Sequence, residues 1–371
     1  MKYGSKGLGG YHKGLEKSHE SKIPFYKHVV IRVDGHHFSS FTKGLIKPFD
    51  NSFHLAMVET SKNLLSRFSA STVYTQSDEI TLIIPATYKK SGKSLEFNKL
   101  SRLYDRELIA IHKETKQEYI MKTVSSIVNK VNVITFILFN DDDKRTVSFP
   151  RDISNSIITN PICSELFEYD FYEVENNQIF GGRLSKILSL VSAFTTKEFN
   201  KHFETDVNTF LDNSNCRSES FESNESFDKY KEYILKRFRE AYFDARCYGV
   251  NKKTDAFTSI MWRIRDALKN SKAMFAQAYC SHKSLLNKNS DEMIEFTKDN
   301  TNRDWHKDLP DALKYGILIK KEQFVTDVTA TIKGKDTLIK DVTRSRLIAF
   351  SKDFSSFSED GVSLIMSKYV M

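Results

Sequence analysis

Two stretches of this sequence decide how it can fold: His28–Phe38, which reads HVVIRVDGHHF, and Thr75–Ile80, which reads TQSDEI. Each joins a strand-like apolar run to a carboxylate, Asp34 in the first stretch and Asp78 in the second. If the two strands are neighbours in one sheet, both aspartates lie at the same edge of that sheet. The first question is therefore whether this edge is a metal site or a pair of polar turns.

The composition is that of a globular protein with a mild basic excess. The 371 residues can form one large domain or two, and 40% of them are hydrophobic and 28% charged. The formal net charge of +8 favours an anionic partner such as nucleic acid or nucleotide, although a lysine-rich surface facing solvent explains it equally well. The four cysteines are scattered and no apolar run is long enough to span a bilayer, so we expect a cytoplasmic protein without a membrane partner.

The hydrophobic pattern predicts an α/β protein. Val29–Val33 and Ile80–Ile84 are typical of buried strands, and Ser71–Tyr74 indicates a third. After the first strand, Asp50, Asn51 and Ser52 are candidate N-cap residues for an amphipathic helix. A long helix is predicted from about residue 255 to residue 280.

One segment interrupts this pattern. The core pattern stops before residue 89 and resumes at residue 178, so we interpret 89–177 as an insertion, of unknown role, with its own strand-like run at Val131–Phe139. Residues 1–88 and 178–250 then form the main domain, and 251–371 form a C-terminal region. In that region Gly316–Lys320 and Leu338–Asp341 are predicted to be short strands.

The carboxylates admit two interpretations. An Asp-Gly pair after a strand is first of all a turn, because both residues tolerate positive φ, and Asp78-Glu79 can equally be a polar turn. However, both carboxylates follow apolar strands, where α/β sheets tend to bind their ligands. Two aspartates on neighbouring strands suit a pair of Mg²⁺ ions, and the carbonyl of Gly35 can add a ligand because glycine lets the backbone come close.

Groups that could bind phosphate occur elsewhere in the chain. Gly181-Gly182 opens a helix with Arg183, Ser185 and Lys186, which places cations at the positive end of the helix dipole. A capped helix with solvated basic residues explains the same pattern. Lys47 is a further candidate, although a surface lysine is the simpler explanation. On the long helix, Arg263, Asp266 and Asn270 share one face, which is usually solvent-facing.

Several enzyme classes lose support. The ten histidines form no His-x-x-x-His pair, which disfavours a zinc hydrolase. The chain has no Gly-x-x-x-x-Gly-Lys-Ser/Thr loop and no Gly-x-Ser-x-Gly elbow, which disfavours P-loop NTPases and α/β-hydrolases.

A set of short motifs follows in a specific order along the chain: Arg32–Gly35 with Phe38, Lys47-Pro48, Gln76–Glu79, Arg183–Lys186, Phe243–Arg246, and Trp262-Arg263 with Asp266 and Asn270. This ordered set resembles the tRNA(His) guanylyltransferase superfamily, and within it the guanylyltransferase-like branch of 3′-to-5′ polymerases. The resemblance covers nearly the whole chain except the insertion. Each motif is short, but the ordered set is highly specific.

The resemblance implies a polymerase-palm-like (ferredoxin-like) sheet that contains antiparallel strands and is flanked by helices, usually in a homotetramer arranged as a dimer of dimers. It implies two Mg²⁺ ions held by Asp34, Asp78 and the Gly35 carbonyl, with Glu79 in the same catalytic set. The implied nucleotide-binding residues are His36, His37, Phe38, Lys47, Ser77, Arg183, Ser185 and Lys186. Further nucleotide or tRNA contacts are implied for Asp244, Arg246, Arg263, Asp266 and Asn270.

The implied activity is addition of nucleotides to the 5′ end of tRNA, with ATP and GTP as substrates. Eukaryotic members of the family carry a His-Ile-Asn-Asn stretch on the long helix, whereas this chain has Leu268–Ser271 there. The missing His favours template-dependent 5′-end repair. The alternatives are a dedicated tRNA(His) guanylyltransferase that adds one extra G, and a non-catalytic tRNA-binding relative.

Overall fold

The structure is a computed structural model that describes residues 13–14, 18, 20–90, 108–115, 118–128, 131–140, 143–150, 169–174, 179–213, 221, 223–332 and 335–370. The chain divides into two compact units, which are treated separately below. The first comprises residues 1–28 and 86–183, and the second comprises residues 29–85 and 184–371. The domain boundaries expected from the sequence are a different division of the chain and stay a prediction.

The second unit is built on a βαββαβ order of elements. These are β1 (His28–Gly35), α2 (Asn51–Phe68), β2 (Thr72–Gln76), β3 (Glu79–Ile84), α3 (Leu184–Asp212) and β10 (Phe243–Val250), with a short α1 (Phe38–Phe41) after β1 and α4 (Asn224–Leu235) after α3. The strands lie in the order β10-β1-β3-β2, which is that of the ferredoxin-like fold. The expected palm-like sheet flanked by helices is therefore confirmed.

Helix α2 begins where the sequence predicted it. The Asp50 carboxylate accepts a hydrogen bond from the backbone N–H of Phe53 at 3.0 Å, which satisfies one of the free donors of the first turn. Its other oxygen accepts from the Tyr230 hydroxyl at 2.9 Å, so the cap also connects α2 to α4. Met57 and Leu64 of α2 are fully buried.

One face of the main sheet is covered by α2 and α3 through a cluster of aromatic rings. Phe199 and Phe203 of α3 are fully buried, and Phe199 contacts Phe38, Phe53 and Phe243 with ring centroids 5.3–5.7 Å apart. Burying a phenylalanine side chain stabilises the fold by roughly 1.5–3 kcal/mol. This cluster explains part of the high phenylalanine content of the chain.

The opposite face of the sheet packs against the long helix α5 (Lys253–Tyr279), as the sequence predicted. Val30, Tyr74 and Ile83 of the sheet form a core cluster with Phe257 and other residues of α5. Short helices then follow: α6 (His282–Leu285), α7 (Ser290–Thr301), α8 (Trp305–Asp308), α9 (Asp311–Tyr315) and, near the end of the chain, α10 (Glu359–Met366).

The C-terminal strands are much longer than predicted. β11 (Ile317–Ile332) and β12 (Lys335–Phe350) form one antiparallel hairpin, and the first residues of β11 pair with β2. The predicted lengths of the strands at Gly316–Lys320 and Leu338–Asp341 were wrong, because the prediction followed short apolar runs and only the first part of β11 is apolar and buried. Backbone pairing continues through the polar residues that follow. A short β13 (Tyr369–Val370) pairs parallel to β11.

The first unit contains a second sheet, in the order β4-β9-β5-β6-β7-β8. Its strands are β4 (Tyr88–Lys90), β5 (Leu108–His112), β6 (Glu118–Val128), β7 (Val131–Phe139), β8 (Lys144–Pro150) and β9 (Tyr169–Val174). Strand β7 has the bounds that the sequence predicted. A 3₁₀ helix (Ile179–Gly182) follows, and Gly181 adopts positive φ in it.

Candidate active site

The register of three strands brings the predicted carboxylates together. In the antiparallel pair of β1 and β3, Asp34 lies directly opposite Glu79. A two-residue turn, Ser77-Asp78, joins β2 to β3, and the backbone N–H of Gly35 donates to the carbonyl of Asp78 at 3.1 Å. We call Asp34, Asp78 and Glu79 the carboxylate edge. The prediction that the two aspartates meet at one edge of the sheet is confirmed.

Glycine at position 35 is required by packing. A Cβ atom there would lie 2.4 Å from the ring of Phe38, which is buried in the aromatic core. No side chain fits at that distance, so the chain can turn after Asp34 only with glycine at the next position.

The three acids of the carboxylate edge differ in their partners. Glu79 contacts the guanidinium of Arg263 and lies 3.6 Å from that of Arg32. Arg263 also contacts Asp266, one turn further along α5, at 3.1 Å. Arg32 reaches Asp34 at 3.7 Å. Glu79 is thus held between two arginines, whereas Asp34 shares one of them.

Asp78 lies in a less favourable environment for a charge. Burial raises its pKa, and the negative charge of Asp34 raises it further, while a hydrogen bond with Ser77 offsets part of the shift. Burial also raises the pKa of Glu79, against the opposing charges of Arg263 and Arg32. The carboxylate edge and Asp266 together present more negative than positive charge, which attracts a cation.

Two clefts adjoin the carboxylate edge. The smaller one, of about 310 Å³, is lined by Gln76, Ser77, Asp78, Glu79, Arg263, Asp266, Asn270, Ala273, Met274 and Gln277. The larger one, of about 430 Å³, shares four of those residues (Gln76, Ser77, Met274 and Gln277). Its polar side chains include Lys43, Lys47 and His54, and its apolar walls include Leu45, Pro48, Phe49 and Leu313. This size and mixture of side chains are typical of a small-molecule site.

The predicted nucleotide-binding residues of this region divide into two groups. Lys47 and Ser77 line the clefts, and the rings of His36 and His37 are exposed with their centroids 4.1 Å apart. The Phe38 side chain is instead buried, with only 3% of its surface exposed. Any contact of Phe38 with a nucleotide is therefore left to its backbone.

The predicted residues around Gly181-Gly182 lie in both units. Ser185 and Lys186 are exposed in the first turn of α3, in the second unit. Arg183 belongs to the first unit, where its guanidinium lies 3.7 Å from Glu20 and its N–H donates to the carbonyl of Phe180. Their roles in nucleotide binding stay predictions.

Of the remaining predicted contacts, Asp266 and Asn270 line the smaller cleft, and Asp244 and Arg246 are exposed on β10. Arg263 also lines that cleft, but it is buried in its ion pairs. Sequence reasoning did not single out Arg32 as a partner of the acids, nor Lys43 and His54 in the larger cleft. A charged residue inside an apolar strand was the available signal for Arg32, since such a residue needs a partner.

The donor set fits a hard divalent cation that keeps part of its water shell. Asp34, Asp78 and the carbonyl of Gly35 are all oxygen donors, which Mg²⁺ prefers. Within the described part of the chain there is no group of three or more His, Cys, Asp or Glu residues that could enclose a metal ion. A cation here therefore needs waters or substrate oxygens as further ligands.

Among the described residues, no helix has the length and apolar character required to cross a membrane.

Sequence comparison gives two findings. The family model described as tRNA(His) guanylyltransferase matches residues 9–150. An uncharacterized protein of Acanthamoeba polyphaga mimivirus is 26% identical over 323 residues, which cover 86% of this chain and 79% of that protein.

Structural comparison finds bacterial proteins of the same description. A bacterial tRNA(His) guanylyltransferase-like protein in complex with ATP matches with a TM-score of 0.50 and 25% identity, over 85% of this chain and 87% of that one. A bacterial guanylyltransferase-like protein in complex with GTP has a TM-score of 0.49 and 21% identity, over 96% and 98% of the two chains.

Proposed function

Since this chain belongs to the tRNA(His) guanylyltransferase superfamily, we propose that it is a Mg²⁺-dependent nucleotidyltransferase that adds nucleotides to the 5′ end of tRNA in the 3′-to-5′ direction. The observation that carries the proposal is the carboxylate edge, where Asp34 and Asp78 meet with less positive than negative charge around them. Asp78 and Glu79 line a cleft, and a second cleft with lysines and apolar walls shares Gln76 and Ser77 with it. The two features match the two needs of phosphoryl transfer, a cation site and a nucleotide site.

The metal ligands that we propose are the carboxylates of Asp34 and Asp78 and the carbonyl of Gly35, for two Mg²⁺ ions. When bound, such ions lower the charge on the reacting phosphate and stabilise the attacking and leaving oxygens. The ion pairs of Glu79 hold the end of β3, and therefore the turn that carries Asp78, in place. Glu79 acts on the reaction through that placement.

The larger cleft supports binding of ATP or GTP. Its apolar wall of Leu45, Pro48 and Phe49 suits a base, and Lys43 and Lys47 suit phosphate. Ser77 belongs to both clefts, so a nucleotide in the larger cleft has its phosphates directed towards Asp78. The similar bacterial protein in complex with ATP supports the same assignment.

The proposed reaction has two stages. A phosphate oxygen of a 5′-monophosphorylated RNA end attacks the α-phosphate of ATP or GTP, and pyrophosphate leaves. The 3′-hydroxyl of an incoming nucleotide then loses its proton and attacks the activated 5′ phosphate, and AMP or GMP leaves. An RNA end that already bears a triphosphate enters at the second stage, with pyrophosphate as the leaving group.

Leu268 favours templated repair over the addition of a single G. Leu268, at the place where eukaryotic relatives carry a histidine, packs against the core cluster of Phe257 and Ile264 and against that of Phe275 and Trp305. A polar group that could select one nucleotide is thus replaced by an apolar core contact. A dedicated tRNA(His) guanylyltransferase is the alternative within the enzyme class. A non-catalytic tRNA-binding relative has no use for two neighbouring aspartates that raise the negative charge beside a cleft.

The proposal also includes a homotetramer, arranged as a dimer of dimers, and a cytoplasmic location. Size-exclusion chromatography with light scattering tests the first, and fractionation of cells tests the second.

The decisive experiment is incubation of the purified protein with 5′-truncated tRNAs and labelled NTPs. We expect addition of the nucleotide complementary to the opposing base, on tRNAs of more than one identity. Addition of one G regardless of the opposing base would instead assign the protein to the dedicated guanylyltransferases. Binding of tRNA without any addition, with ATP, GTP and Mg²⁺ present, would overturn the enzymatic proposal.

A further inference from the structure

An exposed indole lies beside the carboxylate edge. Trp262 of α5 has 53% of its surface exposed, although tryptophan is usually well buried. The chain has one other tryptophan, Trp305, which is 4% exposed in the core. An exposed tryptophan that contributes little to the core calls for another explanation, and its neighbours suggest one.

Two guanidinium groups hold the indole in place. The Arg263 guanidinium carbon lies 4.7 Å from the ring centroid, and that of Arg32 lies at 5.9 Å. Both arginines are themselves fixed by Glu79, and Arg32 also contacts Asp34. Trp262 is therefore connected through Arg32 to Asp34, a proposed metal ligand, and through Arg263 to Glu79, so its orientation is set in advance.

A second aromatic ring extends the same surface. Tyr248 of β10 is 43% exposed, and its hydroxyl forms a hydrogen bond with Ser259, one turn before Trp262. We call Trp262 and Tyr248, with the Arg32 guanidinium, the stacking surface. Aromatic rings and arginine planes together are the side chains on which unpaired nucleobases stack.

The position of the stacking surface along α5 indicates which base it receives. Asp266, Asn270, Ala273 and Gln277 follow Trp262 at intervals of three or four residues, so they continue one stripe of the helix that lines the smaller cleft. Gln277 at the end of the stripe also lines the larger cleft. At 1.5 Å per residue the distance from Trp262 to Gln277 is about 22 Å, with the carboxylate edge between them.

We propose that the stacking surface binds the base of the 5′-terminal nucleotide of the acceptor RNA, while the larger cleft binds the nucleoside triphosphate. This inference rests on the proposed function, because it places the second reactant of that reaction on the other side of the carboxylates. Trp262 is a binding residue in this scheme. Its indole orients the RNA end, and Arg32 faces both the base and the acid that lies next to the reacting phosphate.

The test measures the affinity of the full chain for two matched RNAs in EDTA, where no transfer occurs. One is a 5′-truncated tRNA, and the other is the same RNA with its 5′-terminal nucleotide made abasic. We expect the wild-type protein to prefer the intact RNA by roughly 5- to 160-fold, the range for stacking of one base. Trp262→Leu should bind both RNAs with the same affinity, and Trp262→Phe should recover part of the preference.

The control variant is Phe357→Leu. Phe357 is 50% exposed, like Trp262, but its ring packs beside that of Phe257. We expect it to keep the wild-type preference. Tryptophan fluorescence gives a second readout, since Trp262 is the exposed one of the two tryptophans. The intact RNA should quench the signal that Trp262→Leu removes, and free ATP should not.

Two outcomes would overturn the inference. One is a Trp262→Leu protein that still prefers the intact RNA as strongly as the wild type does. The other is quenching by ATP alone, which would assign the surface to the triphosphate. Failure of the proposed function is distinguishable from both, because it appears as a wild-type protein that adds no nucleotide to any truncated tRNA.

Discussion

Lys320 and the carboxylate edge are two regions where the fold shields charged side chains from water. The two regions differ in the groups that pair with those charges. Lys320 on β11 is fully buried, and its ammonium group donates to the Thr72 hydroxyl at 2.9 Å and to the carbonyls of Leu364 and Ser367 at 2.6 and 2.7 Å. All three N–H donors are used, and the carbonyls belong to the C-terminal end of α10, which attracts a cation.

The carboxylate edge has fewer cations than acids. Glu79 contacts Arg263 and Arg32, and Asp34 shares Arg32 with it, whereas burial and the negative charge of Asp34 raise the pKa of Asp78. Since a saturated buried charge can bind nothing more, Lys320 is a structural group. The excess negative charge of the carboxylate edge is instead available to bind a cation. This is why the edge is the candidate active site.

The largest effect that we expect comes from neutralising Asp34 or Asp78. Asp34→Asn or Asp78→Asn should lower nucleotide addition by about 10³-fold or more, since each removes a proposed metal ligand. Asp78→Asn should be at least as stable as the wild type, because it removes a buried acid whose charge Asp34 disfavours. Activity assays with labelled NTPs and urea unfolding measure the two quantities. Wild-type activity in either variant would remove the metal assignment.

Removing the ion pair between Glu79 and Arg263 should lower the stability of the protein. Arg263→Met leaves Glu79 with one arginine instead of two, and we expect the free energy of unfolding to fall by about 3 kcal/mol. Lys269→Met, at an exposed position of the same helix, should change it by less than about 0.5 kcal/mol. If both variants unfold at the same urea concentration, Glu79 and Arg263 do not stabilise the edge.

Lys320→Met tests the other region. It removes three hydrogen bonds, and of their acceptors the carbonyl of Leu364 keeps a bond from the Ser367 hydroxyl, so we expect the free energy of unfolding at pH 7 to fall by about 1–3 kcal/mol. Lys321→Met, with its side chain on the opposite side of the strand, is the matched control. Nucleotide addition per folded molecule should be the same in all three proteins. A specific loss of activity in Lys320→Met would contradict the purely structural role.

The smallest effect is a dependence on pH. Burial lowers the pKa of Lys320 from 10.5 to about 8. Between these two values the unfolded chain keeps a proton that the native state has released, so the native state gains stability as pH rises and loses it as pH falls. The gain is at most about 1.4 kcal/mol per pH unit.

Unfolding of the wild type and of Lys320→Met at pH 8 and pH 9.5 isolates this contribution. The difference in stability between the two proteins should widen towards pH 9.5. Parallel behaviour of the two proteins would mean that Lys320 does not titrate in this range.

Much of the main sheet was predictable, because its strands and helices carry their own local signals. The apolar runs of β1 and β3, the cap at Asp50 and the periodic α5 all lie where the pattern placed them. The length of the β11–β12 hairpin was not predictable, because its outer residues are polar and pair only through backbone hydrogen bonds. Trp262 belongs to one of the family motifs, but nothing in the sequence indicated that its side chain is exposed.

What the sequence determined by itself is that two aspartates end neighbouring apolar strands, since alternation and turn chemistry are local properties of a chain. Only the tertiary structure decided which of the acids pair with arginines and which can bind a cation. Arg263 and Glu79 are 184 positions apart, and only the packing of α5 on the sheet brings them together in the cleft that Asp78 also lines. Opposite charges stabilise each other only when they are close in space. The packing of α5 against the sheet brings them close.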